Sequence, residues 1–157
     1  MEQAVWFAQQ VKACEPAMYR LAMSIVCNAD DAADAAQEAI CIAYGKLNTL
    51  RSRDRFKAWL LRILTNECYA ILRQRQRFVE SDALPDPAAP ETEPENPELW
   101  QAVCDLNEQL RSVVVLYYYE GFSVREAAAI LRISEANIKT RLSRARRRLR
   151  EMLEETS

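Results

Sequence analysis

The chain contains no histidine. That removes the commonest general base and the commonest metal ligand, so neither a His-based triad nor an ordinary zinc site is expected. Glycine is almost as scarce, at 2 of 157 residues, and no glycine-rich loop is present to cradle a phosphate. No apolar run approaches the roughly 18–20 residues of a membrane span. The start, Met1-Glu2-Gln3-Ala4, lacks the basic opening of a secretory signal. Cys14, Cys27, Cys41, Cys68 and Cys104 are odd in number, form no CxxC and fall at apolar helix positions. They read as reduced small hydrophobes of a cytoplasmic protein rather than a disulfide framework. No catalytic residue, metal, cofactor or membrane insertion is expected, and the protein reads as a non-enzyme.

What is present is helical periodicity. Apolar residues recur at three- and four-residue spacing almost everywhere, and few windows alternate with a period of two, which predicts an all-α fold. Residues 82–97, DALPDPAAPETEPENP, hold five prolines and many acids, a composition that supports neither a helix nor a core. An acidic, proline-rich flexible linker over 79–96 therefore divides the chain into domains at 1–78 and 97–157. The first reads as four helices: Gln3–Ala13, Pro16–Cys27, one from Asp30 and Asp31 to Leu47, and a long one from Asp54 to Phe78. The second reads as helices near 98–108, 110–119, 124–131 and 135–153. Gly121 is placed to end a helix, Ser123-Val124-Arg125-Glu126 fits a capping box, and Ser134 is a candidate N-cap. A capped helix, a turn of three residues and a longer basic helix match helix-turn-helix grammar.

The formal charge of −2 conceals three blocks. Residues 51–77 carry 8 basic and 2 acidic side chains, 80–98 carry 7 acidic and none basic, and 137–150 carry 7 basic and none acidic. Screening over roughly 8–10 Å means that a ligand meets the local block, not the sum.

On a helical wheel, Ile138, Leu142, Ala145, Leu149 and Met152 fall in a stripe of about 80°. Ala136, Asn137, Thr140, Ser143, Arg144 and Arg147 occupy the opposite face, with Lys139, Arg141, Arg146, Arg148 and Arg150 on the flanks. An apolar back, short polar side chains and flanking cations suit a major-groove reader. In the long helix of the first half, Phe56, Leu60, Ile63, Leu64 and Ile71 mark a core side, with Trp59 at its margin. Arg55, Arg62, Asn66, Tyr69, Arg73 and Arg77 gather on another. That second face suits opened DNA, though a solvated arginine face fits the residues equally well. Glu67 falls near the middle of the core side and calls for an arginine partner. In the third helix Asp34, Gln37 and Glu38 share a face opposite Ala33, Ala36, Ile40, Ala43, Tyr44 and Leu47. On residues alone that polar row is an ordinary solvated surface.

Together these segments resemble the sigma-70 family, in its compact extracytoplasmic-function (ECF) group. Asp34-Ala35-Ala36-Gln37-Glu38 resembles a D-x-x-Q-E signature, and Phe56-x-x-Trp59-Leu60-x-x-Ile63-x-x-Asn66 followed by Arg73 resembles the long helix of region 2. Val115 to Ser123 and Asn137 to Leu149 resemble region 4. The resemblance implies a region 2 four-helix domain and a region 4 helix-turn-helix domain. It implies that Asp34, Gln37 and Glu38 grip core RNA polymerase. It also implies that Asn48, Arg51, Arg53, Arg55, Arg62, Asn66, Tyr69 and Arg73 meet the −10 promoter element, the loop from Leu47 to Arg55 capturing an unstacked base. Ser134, Ala136, Asn137, Lys139, Thr140, Arg141, Ser143, Arg144 and Arg147 would read the −35 element. Core RNA polymerase, promoter DNA and an anti-sigma factor are the implied partners. Four departures bear on stability and promoter preference: Arg132 stands where a glycine is common, at a cost of roughly 1–2 kcal/mol if left-handed; Ala128-Ala129 replaces a bulkier pair; Glu108-Gln109-Leu110 lacks a proline often found there; and Ala70 stands where an acid is frequent. Two rival readings stand beside it: a stand-alone helix-turn-helix regulator, which would bind a symmetric operator without polymerase, and a helical adaptor that binds only protein, its basic faces docking acidic partners.

Overall fold

Seven α-helices and their connecting turns make up the computed structural model, which describes residues 1–77 and 96–155. The expected linker at 79–96 lies outside the described residues except for Asn96. The chain divides into two compact units, Met1–Ala88 and Ala89–Ser157, each with its own core.

In the first unit α1 (Glu2–Val26) is one continuous helix. The break expected between Ala13 and Pro16 does not occur, so two expected helices are one. The apolar stripe explains why. Phe7, Val11, Cys14, Met18, Leu21 and Ile25 keep helical spacing and stay buried on both sides of Pro16. Pro16 lies on the exposed face, and Lys12, whose carbonyl loses its hydrogen bond there, is exposed as well. Packing of an unbroken stripe outweighs one lost backbone bond. Cys27 then ends the helix in the left-handed region, its N–H donating to the Met23 carbonyl at 3.0 Å.

Helix α2 (Ala29–Gly45) is capped by Asn28, whose side chain accepts from Asp31 N at 2.9 Å. Its buried face is turned from the one expected: Ala32, Ala35, Ala39 and Ala43 are buried, Ala36 and Ile40 half-buried, Ala33 and Tyr44 exposed. A row of alanines brings α2 close to α1 and α3, with the bulkier Ile40 and Tyr44 at the rim. Leu47 is buried in a 3-10 turn, Leu47–Thr49, and a second 3-10 turn, Arg53–Arg55, leads into α3 (Phe56–Arg77).

Helix α3 packs on both α1 and α2, which makes its buried face wider and rotates it. Phe56, Leu60, Leu61, Leu64, Thr65 and Cys68 are buried; Ile63 and Ile71, expected in the core, are only half-buried, as is Trp59. The Thr65 hydroxyl is satisfied inside its own helix, donating to the Leu61 carbonyl at 2.8 Å. The arginine partner expected for Glu67 is not found: Glu67 stays half-buried with no ion pair among the described residues, and Arg75 pairs with Asp31. Arg75 lies two turns beyond Cys68, on the side of α3 that meets α2, so Asp31 is in its reach and Glu67 is not. Burial, followed by the charges of Glu67 and Asp31, pushes the Cys68 thiol up to about 12.

The second unit packs α4 (Pro97–Cys104), α5 (Glu108–Val114), α6 (Val124–Leu131) and α7 (Glu135–Glu155). Its α4 ends four residues short of the expected 108. Val103, Leu106, Val114 and Ala145 form a core cluster, with Leu99, Leu110, Tyr119, Leu149 and Met152 packed against it. Asn96 and Asn107 cap α4 and α5, each side chain accepting a backbone N–H at 3.1 Å. Helix α5 runs into a π-helical turn, Val115–Tyr119, closed by Glu120 N donating to the Val115 carbonyl at 2.9 Å. Gly121, at φ +74°, then reverses the chain, a conformation that glycine adopts without strain.

Candidate nucleic-acid interface and acidic face

Helix α6 opens on the expected capping box: Ser123 Oγ accepts from Glu126 N at 3.1 Å, and Glu126 Oε1 accepts from Ser123 N at 3.0 Å. It closes on Arg132, left-handed at φ +58°, with Ile133 N donating to the Ala128 carbonyl at 3.1 Å. Ser134 Oγ then accepts from Asn137 N at 3.0 Å and starts α7. Two caps and one left-handed residue thus fix the angle between α6 and α7.

On α7, Ile138, Leu142 and Ala145 are buried, Leu149 and Met152 half-buried, as the wheel predicts. Ser134, Ala136, Asn137, Lys139, Thr140, Ser143, Arg144 and Arg147 are exposed; Arg141 is half-buried. The Ser134 oxygen is already engaged as the cap. Arg148 pairs with Glu151 at 3.4 Å. Lys139, Arg141, Arg144, Arg147 and Arg150 make no ion pair among the described residues, so α7 presents a convex strip of uncancelled positive charge beside short polar side chains.

In the first unit an aromatic cluster fastens the turn between α2 and α3. Phe56 meets Trp6 and Phe7 edge-on, at 5.3 and 5.7 Å between ring centroids, and Phe7 meets Tyr44 at 5.1 Å. The guanidinium of Arg53 lies 4.5 Å from the Trp6 ring centroid. Between α1 and this turn opens a cleft of about 230 Å³, lined by Gln3, Trp6, Leu47, Asn48, Leu50, Arg51, Ser52 and Arg53. Sequence reading finds Asn48, Arg51 and Arg53 but misses Gln3 and Trp6, which enter from another helix and leave no local signal. Arg55 is exposed but does not line the cleft. Along α3, Arg62 and Arg73 are exposed and Asn66 and Tyr69 half-buried.

Asp34, Gln37 and Glu38 are all exposed on α2, on the side away from the buried alanines. Among the described residues no helix is long and apolar enough to cross a membrane, and no three His, Cys, Asp or Glu side chains gather to hold a metal.

Family models place these features together. The model of sigma-70 region 2 matches residues 10–78, and that of sigma-70 region 4 matches residues 97–149. The chain belongs to the sigma-70 family. The RNA polymerase sigma-E factor of Streptomyces coelicolor is 32% identical, over 98% of this chain and 89% of its own length. The ECF RNA polymerase sigma factor SigW of Bacillus subtilis is 29% identical, over 94% and 88%. The sigma factor RpoE of Bartonella quintana, solved in complex with the anti-sigma factor NepR, is 32% identical with a TM-score of 0.79, covering 94% of this chain and 96% of that one. Within the sigma-70 family the chain is of the ECF type. Its acidic row and its cleft fall inside the region 2 match, apart from the cleft residues Gln3 and Trp6, and α6 and all but the last residues of α7 inside the region 4 match.

Proposed function

We propose that this chain is a dissociable specificity subunit that directs core RNA polymerase to promoters, while the phosphodiester chemistry stays with the polymerase. The exposed face of α7 carries the proposal. Its apolar back is spent on the core, its polar face is free, and its cations are largely uncancelled, which is the division a major-groove reader requires. In this reading Ala136, Asn137, Thr140, Ser143, Arg144 and Arg147 face the −35 bases and phosphates. Lys139 and Arg141 reach the backbone on either side, and Ser134 sets the start of the helix.

The cleft beside Trp6 receives an unstacked −10 base. At about 230 Å³ it lies below the roughly 300 Å³ at which pockets for drug-sized ligands begin. Asn48 and Arg51 bring hydrogen-bonding groups to its wall, and Trp6 an aromatic edge. Arg55, Arg62, Asn66, Tyr69 and Arg73 continue from it along α3 as a track for single-stranded DNA. Asp34, Gln37 and Glu38 dock on the polymerase. We place the protein in the cytoplasm, where its polymerase is, and give it an anti-sigma factor, the kind of partner with which RpoE was solved. The boundaries 1–78, 79–96 and 97–157 then separate −10 binding, a tether and −35 binding. Run-off transcription with purified core polymerase tests the proposal. Promoter-dependent product is expected only when the chain is added, and its absence from every ECF-type promoter tried refutes the reading.

A further inference from the structure

Two arginines of α7 are held in place, and they are held by opposite means. Arg148 meets a carboxylate, Glu151, which cancels its charge locally. Arg146 meets a phenol. Its Nε donates to Tyr118 Oη at 2.6 Å, and its guanidinium carbon lies 6.0 Å from the Tyr118 ring centroid. A neutral acceptor restrains the guanidinium and leaves the full positive charge in place. Because the bond is made at Nε, the two terminal amino groups remain as a planar fork of the kind that matches two oxygens of one phosphate. The tyrosine hydroxyl, having accepted, still has its own proton to donate outward.

The rest of the fold presents this pair to solvent. The extra residue of the π-helical turn rotates the chain beyond it by about 100° relative to α5. Tyr119 is directed inward, 5.2 Å from Trp100 and edge-on to it, while Tyr118 stays 52% exposed. Tyr117 stands 5.0 Å from Tyr118 at 84° and walls its ring on one side. Arg146 is exposed, on the flank of α7 that also carries Lys139 and Arg150, between the buried stripe and the face of Ser143 and Arg147. Cations on the flank of a groove-reading helix meet backbone, not base edges. An exposed hydrogen bond to a neutral partner adds little to folding, so stability alone does not account for the arrangement.

We propose that Tyr118 and Arg146 form a phosphate-binding pair for the DNA backbone beside the −35 element, with Tyr118 as the positioning residue that holds the arginine fork ready. The proposal rests on the reading of α7 as a groove-binding helix. An arginine ordered before binding loses less freedom on contact, which corresponds to roughly three- to tenfold in affinity.

The test uses holoenzyme assembled from the full chain and core polymerase. Promoter affinity is measured from about 50 to 200 mM salt, where each phosphate contact contributes about 0.9 to the slope of log K against log salt. Arg146→Gln is expected to make the slope shallower by that amount. Tyr118→Phe, which keeps the ring and removes the hydroxyl, is expected to lower affinity about three- to tenfold with an unchanged melting temperature. The double variant should bind no worse than Arg146→Gln. Arg144→Ala with Arg147→Ala serves as reference. If that reference weakens binding while Tyr118→Phe matches wild type, or while the Tyr118 and Arg146 effects simply add, the positioning role is overturned and the groove reading stands. If the reference changes nothing, the groove reading falls and takes the pair with it. Should Tyr118→Phe unfold early, Arg146→Lys, which keeps the charge and lacks the fork, carries the same comparison.

Discussion

Arg132 closes α6 in the left-handed region, where a side chain costs roughly 1–2 kcal/mol that glycine does not incur. Arg132 is exposed, so little packing is lost with it. Arg132→Gly should stabilise the second unit by about 1 kcal/mol, net of the freedom glycine adds to the unfolded chain. The thermal transition of that unit should rise by a few degrees, and a drop would show that the arginine side chain has an unrecognised contact. Cys68 makes a second prediction. Its thiol is raised to about 12 from 9.0 by burial and by the carboxylates of Glu67 and Asp31. Above pH 9 the unfolded chain ionises this thiol and the folded one does not. The stabilisation is therefore complete below pH 9 and is lost as pH rises from 9 toward 12. Urea midpoints of Cys68→Ala should fall less steeply over that window than those of the native chain, and iodoacetamide at pH 8 should label exposed Cys41 well before Cys68. At this scale local rules were legible and cross-helix pairings were not. The caps at Ser123 and Ser134 and the strain at Arg132 arise from neighbours within four residues. The Asp31–Arg75 pair and the Trp6–Arg53 stack join different elements, and no spacing along the chain announces them.

Among the elements, α1 shows how a correct local rule loses to packing. Proline inside a helix removes one hydrogen bond and clashes with the preceding turn, at about 3 kcal/mol in a free helix. Here the unbroken phase of Phe7, Val11, Cys14, Met18, Leu21 and Ile25 across Pro16 was visible in the sequence and was the better guide. Pro16→Ala gives position 16 an N–H that can donate to the Lys12 carbonyl on an exposed face, and should stabilise the first unit by roughly 1–3 kcal/mol. Chemical denaturation measures this directly, and no gain would mean that the helix has already relaxed around the ring. Helix α3 was placed correctly but its buried side was not. A wheel assumes one neighbour, and α3 has two, so Leu61 and Cys68 are buried while Ile63 and Ile71 are drawn to the rim. The α7 wheel succeeded because α4, α5 and α6 all pack on the same side of that helix, along its one apolar stripe of Ile138, Leu142 and Ala145.

At the scale of the whole molecule, a chain of formal charge −2 carries two strongly basic stretches, and their separation over two units makes the proposed tasks separable. Asp34→Ala with Glu38→Ala should abolish co-purification with core polymerase and leave the fold of both units intact. Arg144→Ala with Arg147→Ala should keep core binding and weaken engagement of the −35 element, by about 1–3 kcal/mol for each direct base contact removed. Co-purification together with promoter footprinting distinguishes the two, and loss of core binding in the arginine variant would contradict the assignment. The inward side of α2 bears on how such a molecule diversifies. It consists of Ala32, Ala35, Ala39 and Ala43, and any larger side chain there forces its neighbours apart. Mutational tolerance along this helix is therefore lopsided: the inner positions are frozen, while Asp34, Gln37 and Glu38 are constrained only by what they touch. Substitutions in the outer row leave the scaffold beneath it undisturbed, so their cost falls on recognition and not on folding.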